Sequence, residues 1–116
     1  MQRRKVVTAF LRRDEKLLLL RRSADVGSYQ GRWSAVSGYL EDATPLAQAY
    51  REIHEETGFE AAALNLQSVA TPFELAAPEL DRLWVIHPFL FDLQTKATPS
   101  LDWENLEHRW VSPAEM

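Results

Sequence analysis

Residues 51–59 read REIHEETGF, and this segment decides how the rest of the chain is interpreted. On a helix, Glu52, Glu55 and Glu56 stand at positions i, i+3 and i+4, so their carboxylates project from one face within a turn of each other. Like charges so close together repel, and the negative end of the helix macrodipole near the C-terminus adds to the repulsion. Local helix stability therefore does not explain the arrangement.

A divalent cation would remove this conflict. Oxygen ligands on one helix face can hold Mg²⁺ or Mn²⁺ and still leave coordination positions for water and phosphate oxygens. A metal held in this way polarises phosphorus-bound oxygens and lowers the pKa of a bound water, which are the requirements for hydrolysis at a diphosphate. The alternative is a solvated acidic surface, which three glutamates on one face, taken alone, more often form.

The helix that carries these acids is predicted to run from Pro45 to Thr57. Thr44 has the character of an N-cap followed by proline at the first helical position, because threonine can accept from a free backbone N–H and proline has none to leave unsatisfied. Gly58 stands where a left-handed residue would end the helix. The apolar stripe at helical spacing consists of Leu46, Ala49, Tyr50 and Ile53.

Strands are predicted on both sides of the helix. Residues 6–11 and 16–21 form a hairpin around a turn at 12–15, and residues 33–36 form a short strand after a polar loop. Gly38 is then expected to mark a close turn.

After the helix, residues 66–73 and 83–93 are predicted to be strands, with loops at 74–82 and 94–106. Trp110 and Val111 are predicted to form a last short strand. Ser112-Pro113 has the character of a helix start, but the sequence ends within the first turn of that helix. We therefore expect a truncated C-terminal helix or a longer parent chain.

Composition limits the classes of function. A length of 116 residues suits one domain, and a formal net charge of −4 repels polyphosphate backbones, so macromolecular nucleic acid is not expected as a partner. The absence of cysteine excludes disulfides, thiolate metal sites and a cysteine nucleophile. No apolar run approaches the roughly 20 residues of a membrane span, and we expect a cytoplasmic protein that does not bind membranes.

Together with an upstream glycine, the acidic segment resembles the signature of the Nudix hydrolase family. That signature is Gly, five residues, Glu, seven residues, and then Arg-Glu-aliphatic-any-Glu-Glu-any-Gly-aliphatic. Gly38 matches its start and Phe59 is an apolar substitute at its end. The positions that match in order between them are Arg51, Glu52, Ile53, Glu55, Glu56 and Gly58.

The chain departs from the signature in the loop before the helix. The signature arginine follows the first glycine by fourteen positions, whereas Arg51 follows Gly38 by thirteen, and no glutamate lies immediately before Thr44. Glu41 and Asp42 are available as partial substitutes. We expect a modified loop that affects metal affinity or rate but not the fold.

The resemblance implies a single Nudix domain over residues 1–116, with its signature region at 38–59. Its fold would be α/β, an α/β/α sandwich around a mixed, curved sheet. Its activity would be that of a pyrophosphohydrolase, a metal-dependent hydrolase that cleaves the diphosphate linkage of a small nucleoside-diphosphate-X substrate with Mg²⁺ or Mn²⁺. The expected partner is a small nucleotide-like molecule, and a homodimer is left open.

The resemblance also suggests roles for site residues. Its metal ligands would be Glu52, Glu55 and Glu56, with the backbone carbonyl of Ser37 and a further glutamate from the loop before the last strand. Glu104 is preferred for that further ligand, and Glu107 is the fallback. For both, ordinary solvated acids are the competing interpretation.

The predicted catalytic residues are Glu52, Glu55 and Arg51. Glu52 is nominated as the general base. Arg51 would orient a glutamate or brace the loop through a charge-assisted hydrogen bond, although a surface ion pair explains it as well on local grounds. His54 lies on another part of the helix surface and is not assigned a role.

Substrate binding is assigned to Gly38, Trp33 and Arg21. Trp33, or Tyr29, could stack on a base, although an aromatic residue that begins a strand more often belongs to the core. Arg21 and its neighbour Arg22 could reach a phosphate, although such a pair at a strand end is most often surface.

Two other classes of function compete with the enzyme. A non-catalytic Nudix domain could bind a nucleotide or metabolite as a sensor or as part of a longer protein, which the shortened loop favours. An unrelated α/β domain could use an acidic helix for protein interaction, which would make the signature match a coincidence.

Overall fold

The computed structural model describes residues 1–115. The eight strands are β1 (Gln2–Arg13), β2 (Lys16–Arg22), β3 (Trp33–Ser34), β4 (Val36–Tyr39), β5 (Leu64–Val69), β6 (Phe73–Ala77), β7 (Arg82–Leu93) and β8 (Asn105–Val111). The described part of the chain contains one α-helix, α1 (Pro45–Thr57), and three short 3₁₀ turns at Ala61–Ala63, Pro78–Leu80 and Pro113–Glu115.

All eight strands belong to one mixed sheet, as predicted. Its centre is a parallel pair in which β1 runs beside β7 from Gln2 and Arg82 to Arg12 and Asp92. β1 is antiparallel to β4 along one part of its length and to β2 at its end, while β8 continues the sheet beyond β2. β5 and β6 both pair with β7, at different parts of that strand.

The core lies between α1 and one face of this sheet. Successive side chains of a strand point to opposite faces. Val7 and Ala9 of β1 are fully or almost fully buried in the same cluster as Ala49 and Ile53 of α1. Val6 and Thr8, which alternate with them, belong to the opposite face.

The helix has the predicted limits. The hydroxyl oxygen of Thr44 accepts from the backbone N–H of Ala47 at 3.1 Å, and proline occupies the first turn. At the other end, Gly58 has φ 79° and its N–H bonds to the carbonyl of His54. Both end signals are local, which is why the sequence predicts them well.

The segment after the helix corrects two predictions. The expected single strand over residues 66–73 is wrong, because β5 ends at Val69 and β6 begins at Phe73 on the far side of Pro72, which cannot donate a ladder hydrogen bond. The expected loop over 74–82 is also wrong in its first part. Residues 73–77 pair with 82–86 of β7, so a short, weakly patterned segment is held as a strand by its long neighbour.

Two further elements differ from expectation. Gly38 lies inside β4 opposite Val7 rather than in a turn. The last strand begins at Asn105 instead of Trp110 because its polar first half pairs with β2. Beyond it the chain forms the 3₁₀ turn at Pro113–Glu115. Among the described residues, no helix is long and apolar enough to cross a membrane.

Candidate active site

Three glutamates meet where α1 approaches the loop before β8. Glu52, Glu55 and Glu104 each offer a carboxylate oxygen, and these oxygens lie within 4.8 Å of one another. The backbone holds Glu104 in place, since Ser23 N–H donates to its carbonyl at 2.7 Å. The structure thus brings the preferred loop glutamate to the helix acids. The fallback, Glu107, lies on β8, 3.6 Å from Arg21.

Glu56 lies deeper than these three residues. Its side chain is 2% exposed, and its Oε1 accepts from the amide of Asn105 at 3.1 Å. Its Oε2 is buried without a hydrogen-bond partner among the described residues. Burial raises the pKa of Glu56 to about 10, because the charged form loses its hydration. An unsatisfied buried oxygen of this kind needs either a proton or a cation.

Glu52 is also held in a confined position. The side-chain amide of Gln48 donates to its Oε1 at 2.9 Å. Burial raises the pKa of Glu52 to about 7. The nearby charge of Glu55 adds to the rise, and the hydrogen bond from Gln48 opposes it. The raised pKa values of Glu52 and Glu56 show that burial disfavours their charged forms. A cation such as Mg²⁺ or Mn²⁺, which prefers hard oxygen ligands, would favour those charged forms.

Gly38 leaves space for Glu52. A Cβ at this position would overlap the carboxyl group of Glu52. The glycine is therefore explained by a close approach of a side chain, and not by a positive φ. Ser37, its neighbour in β4, lies opposite Thr8.

Arg51 contacts the loop before the helix. Its guanidinium is 3.2 Å from the carboxylate of Asp42, and the arginine side chain is about half exposed. This contact is compatible with bracing the loop and equally with the surface ion pair that the sequence left open for Arg51. Asp42 belongs to the acidic pair expected to substitute for the absent signature glutamate.

A groove of about 490 Å³ begins at the glutamates and continues across the sheet. Val6, Thr8, Trp84 and Ile86 line it, and they belong to the sheet face opposite α1. Glu52, Glu55 and Glu104 line it as well. The lining of the groove thus includes the acidic cluster as well as side chains from the sheet face opposite α1.

Aromatic rings surround the apolar part of the groove. Tyr39 and Trp84 have ring centroids 6.2 Å apart, and Tyr39 remains 45% exposed. The hydroxyl of Tyr29 accepts from the indole N–H of Trp84 at 3.0 Å. Trp84 is only 7% exposed, and the guanidinium of Arg4 lies 5.7 Å from the ring centroid of Tyr39. Tyr39 is therefore the more accessible of these two rings for contact with a planar group.

The other predicted substrate contacts lie elsewhere. Trp33 does not line the groove, and the guanidinium of Arg109 lies 5.3 Å from its ring centroid. Arg21 points toward Glu107, whereas Arg22 lines the groove. The alternation of side chains along β2 explains why the second arginine of the pair, and not the first, reaches this cavity.

Sequence reasoning missed Gln48, Asn105 and Trp84. Gln48 precedes Glu52 by four residues, so helical spacing alone could have predicted that the two side chains lie on the same face of α1. Nothing local marks Asn105 or Trp84, because their positions depend on pairing between distant strands.

A second cavity, of about 610 Å³, lies beside the β1–β2 turn. Arg12 there forms two hydrogen bonds with the carboxylate of Asp92, and Arg13 donates to the carbonyls of Thr95 and Ala97. Both arginines thus already have partners, and within residues 1–115 no further cluster of acidic or histidine side chains that could hold a metal lies in this cavity.

Comparison with known proteins identifies the family. The model of the NUDIX domain matches residues 1–116, and the chain therefore belongs to the NUDIX family. No curated protein sequence matches the chain significantly.

Solved structures agree with this assignment. A MutT protein from Methanosarcina mazei Go1 has 25% identity and a TM-score of 0.77, over 98% of this chain and 80% of that one. The ORF135 protein of E. coli has 26% identity and a TM-score of 0.72, over 99% and 77%. An Ap4A hydrolase of C. elegans, at 16% identity and a TM-score of 0.75 over 99% and 82%, shares the fold. The predicted Nudix fold is confirmed, with α1 as the helical layer within residues 1–115.

Proposed function

We propose that this protein is a metal-dependent pyrophosphohydrolase that cleaves the diphosphate linkage of a small nucleoside-diphosphate-X substrate. One observation carries the proposal. The acidic cluster of Glu52, Glu55 and Glu104 lines a groove that aromatic rings line as well. A cation site beside a surface for planar groups suits a molecule that joins a diphosphate to a base.

Glu52, Glu55 and Glu104 would hold Mg²⁺ or Mn²⁺, with Glu56 and the carbonyl of Ser37 as further candidate ligands. When bound, the cation supplies charge neutralisation at the diphosphate and a lower pKa for an attacking water. Glu52 is our candidate for the base that accepts the proton of this water. The water oxygen then bonds to phosphorus as the bridging P–O bond breaks, and the leaving phosphate carries away the electron pair.

The rest of the substrate would lie along the groove. Tyr39 would contact a base, and Arg22 would lie beside the phosphates. Arg22 thus replaces Arg21 in the proposal. A solved neighbour described as an Ap4A hydrolase supports a nucleotide-like substrate class.

The test is mononucleotide or phosphate release from a panel of nucleoside-diphosphate compounds with Mg²⁺ or Mn²⁺. We expect Glu55→Gln to lower kcat on the order of 100-fold, because a neutral amide is a poor ligand for a hard cation. Glu79→Gln changes an exposed glutamate outside the groove and should retain wild-type turnover.

Equal turnover by Glu55→Gln and the wild type would contradict the assignment of this residue. A wild-type protein that hydrolyses none of the compounds, but melts at a higher temperature with Mn²⁺ or a nucleotide, would instead support a non-catalytic sensor.

A further inference from the structure

Gln48 joins the loop before α1 to the acidic cluster. Its side chain is 1% exposed. Its Oε1 accepts from the backbone N–H groups of Glu41 and Asp42 at 2.8 and 2.7 Å. On the other side, its Nε2 donates to Oε1 of Glu52 at 2.9 Å. One buried amide thus contacts both the loop backbone and a carboxylate of the site.

These partners determine the orientation of the amide. A reversed amide would place its NH₂ group against two backbone donors and its carbonyl oxygen against a carboxylate oxygen, so every contact would be unfavourable. The observed orientation satisfies all three partners. Neither a carboxylate nor an apolar side chain at position 48 could accept from the loop and also donate to Glu52.

The two sides of Glu52 are confined by different parts of the fold. Gly38 of β4 packs directly against its carboxyl group, and Gln48 binds the Oε1 atom from within α1. The loop that Gln48 binds, residues 41–42, lies in the segment that is one residue shorter than the Nudix signature. Arg51 forms its ion pair with Asp42 in that same loop.

We propose that Gln48 is a positioning residue, which aligns the Glu52 carboxylate for the cation by bridging it to the shortened loop. The inference rests on the proposed function, because the aligned group is one of its metal ligands. Hydrogen bonds to metal ligands fix the direction of their lone pairs, and losing such a partner typically weakens metal affinity by about 10 to 100-fold.

The test is Mn²⁺ binding to the substrate-free protein, measured by calorimetry. Gln48→Met keeps the length of the side chain but removes all three hydrogen bonds. We expect it to weaken Mn²⁺ binding by about 10-fold or more. Ile53→Val is the matched control, since it removes a methylene from a fully buried core residue of the same helix. The control should lower the melting temperature and keep Mn²⁺ affinity within about 2-fold of wild type.

A second variant separates positioning from folding. Gln48→Glu can still accept from the loop N–H groups but places a second carboxylate against Glu52, so Mn²⁺ binding should again fall by about 10-fold. Wild-type Mn²⁺ affinity in either variant would overturn the positioning role and leave the proposed function intact. Failure of the wild-type protein itself to bind Mn²⁺ would overturn both.

Discussion

The contact between Glu52 and Gly38 shows how a missing side chain can fix the position of a candidate metal ligand. Glu52 is a long, flexible residue, yet its carboxyl group is held against strand backbone on one side and the Gln48 amide on the other. Confinement reduces the rotamer entropy that the side chain would lose when it binds a cation. The glycine is therefore part of the site although it offers no functional group.

Replacing this glycine should damage the site more than the fold. In Gly38→Ala the new Cβ overlaps the Glu52 carboxyl group, which must move. We expect Mn²⁺ affinity to fall by about 10-fold or more, and the free energy of unfolding to fall by about 1–3 kcal/mol from overpacking. Calorimetry and denaturant unfolding measure the two effects.

Gly27→Ala provides the control for backbone effects. A Cβ at Gly27 meets nothing within 4 Å and its φ is not positive, so unfolding free energy should stay within about 0.5 kcal/mol of wild type. Wild-type Mn²⁺ binding by Gly38→Ala would show that Glu52 has room to relocate without loss.

Among the secondary-structure elements, α1 carries most of the site and depends on a local signal at its start. Thr44 caps the helix through the N–H of Ala47. We expect Thr44→Ala to lower the free energy of unfolding by about 1 kcal/mol, because that donor loses its partner. Thr44→Ser should retain most of the stability, and denaturant unfolding of the two variants compares them. Equal stability of the alanine variant would mean that water replaces the cap without cost.

The elements differ in how far sequence predicts them. The limits of α1 follow from Thr44, Pro45 and Gly58, all of which act within one turn of the helix ends. The β1–β2 hairpin was likewise visible in two adjacent apolar runs. β6 could not be predicted, because residues 73–77 become a strand only through pairing with β7. The site residues differ in the same way. The helical spacing of Glu52 and Glu55 predicts that they lie on one face of α1, whereas the position of Trp84 in the groove depends on the order of the strands in the sheet.

For the whole molecule, the buried acids make stability depend on pH. The pKa values of Glu52 and Glu56 are raised in the folded protein, to about 7 and about 10, so between the ordinary glutamate pKa near 4.3 and these values the folded state binds more protons than the unfolded state. The contribution of these two glutamates to stability is therefore fully present below the ordinary glutamate pKa and is lost as pH rises through their folded-state pKa values.

We expect the metal-free protein to lose stability between about pH 5 and pH 9, measured by denaturant unfolding in a chelating buffer. Glu56→Gln should flatten this dependence, since its amide is neutral at every pH and can still accept from Asn105. Glu60→Gln, an exposed change just beyond α1, should keep the wild-type slope. A slope that Glu56→Gln leaves unchanged would assign the pH effect to other groups.

The parallel pairing of β1 with β7 has a consequence for how the chain acquires its structure. Residues 2–12 bond to residues 82–92, so the central ladder of the sheet closes a loop that spans most of the polypeptide. Contacts between such distant segments are formed late and slowly, because the entropy of loop closure is lost before the pairing compensates for it. During synthesis, the backbone edge of β1 that faces β7 stays unpaired until residues 82–92 leave the ribosome, and the nascent chain is open to aggregation along that edge for this time.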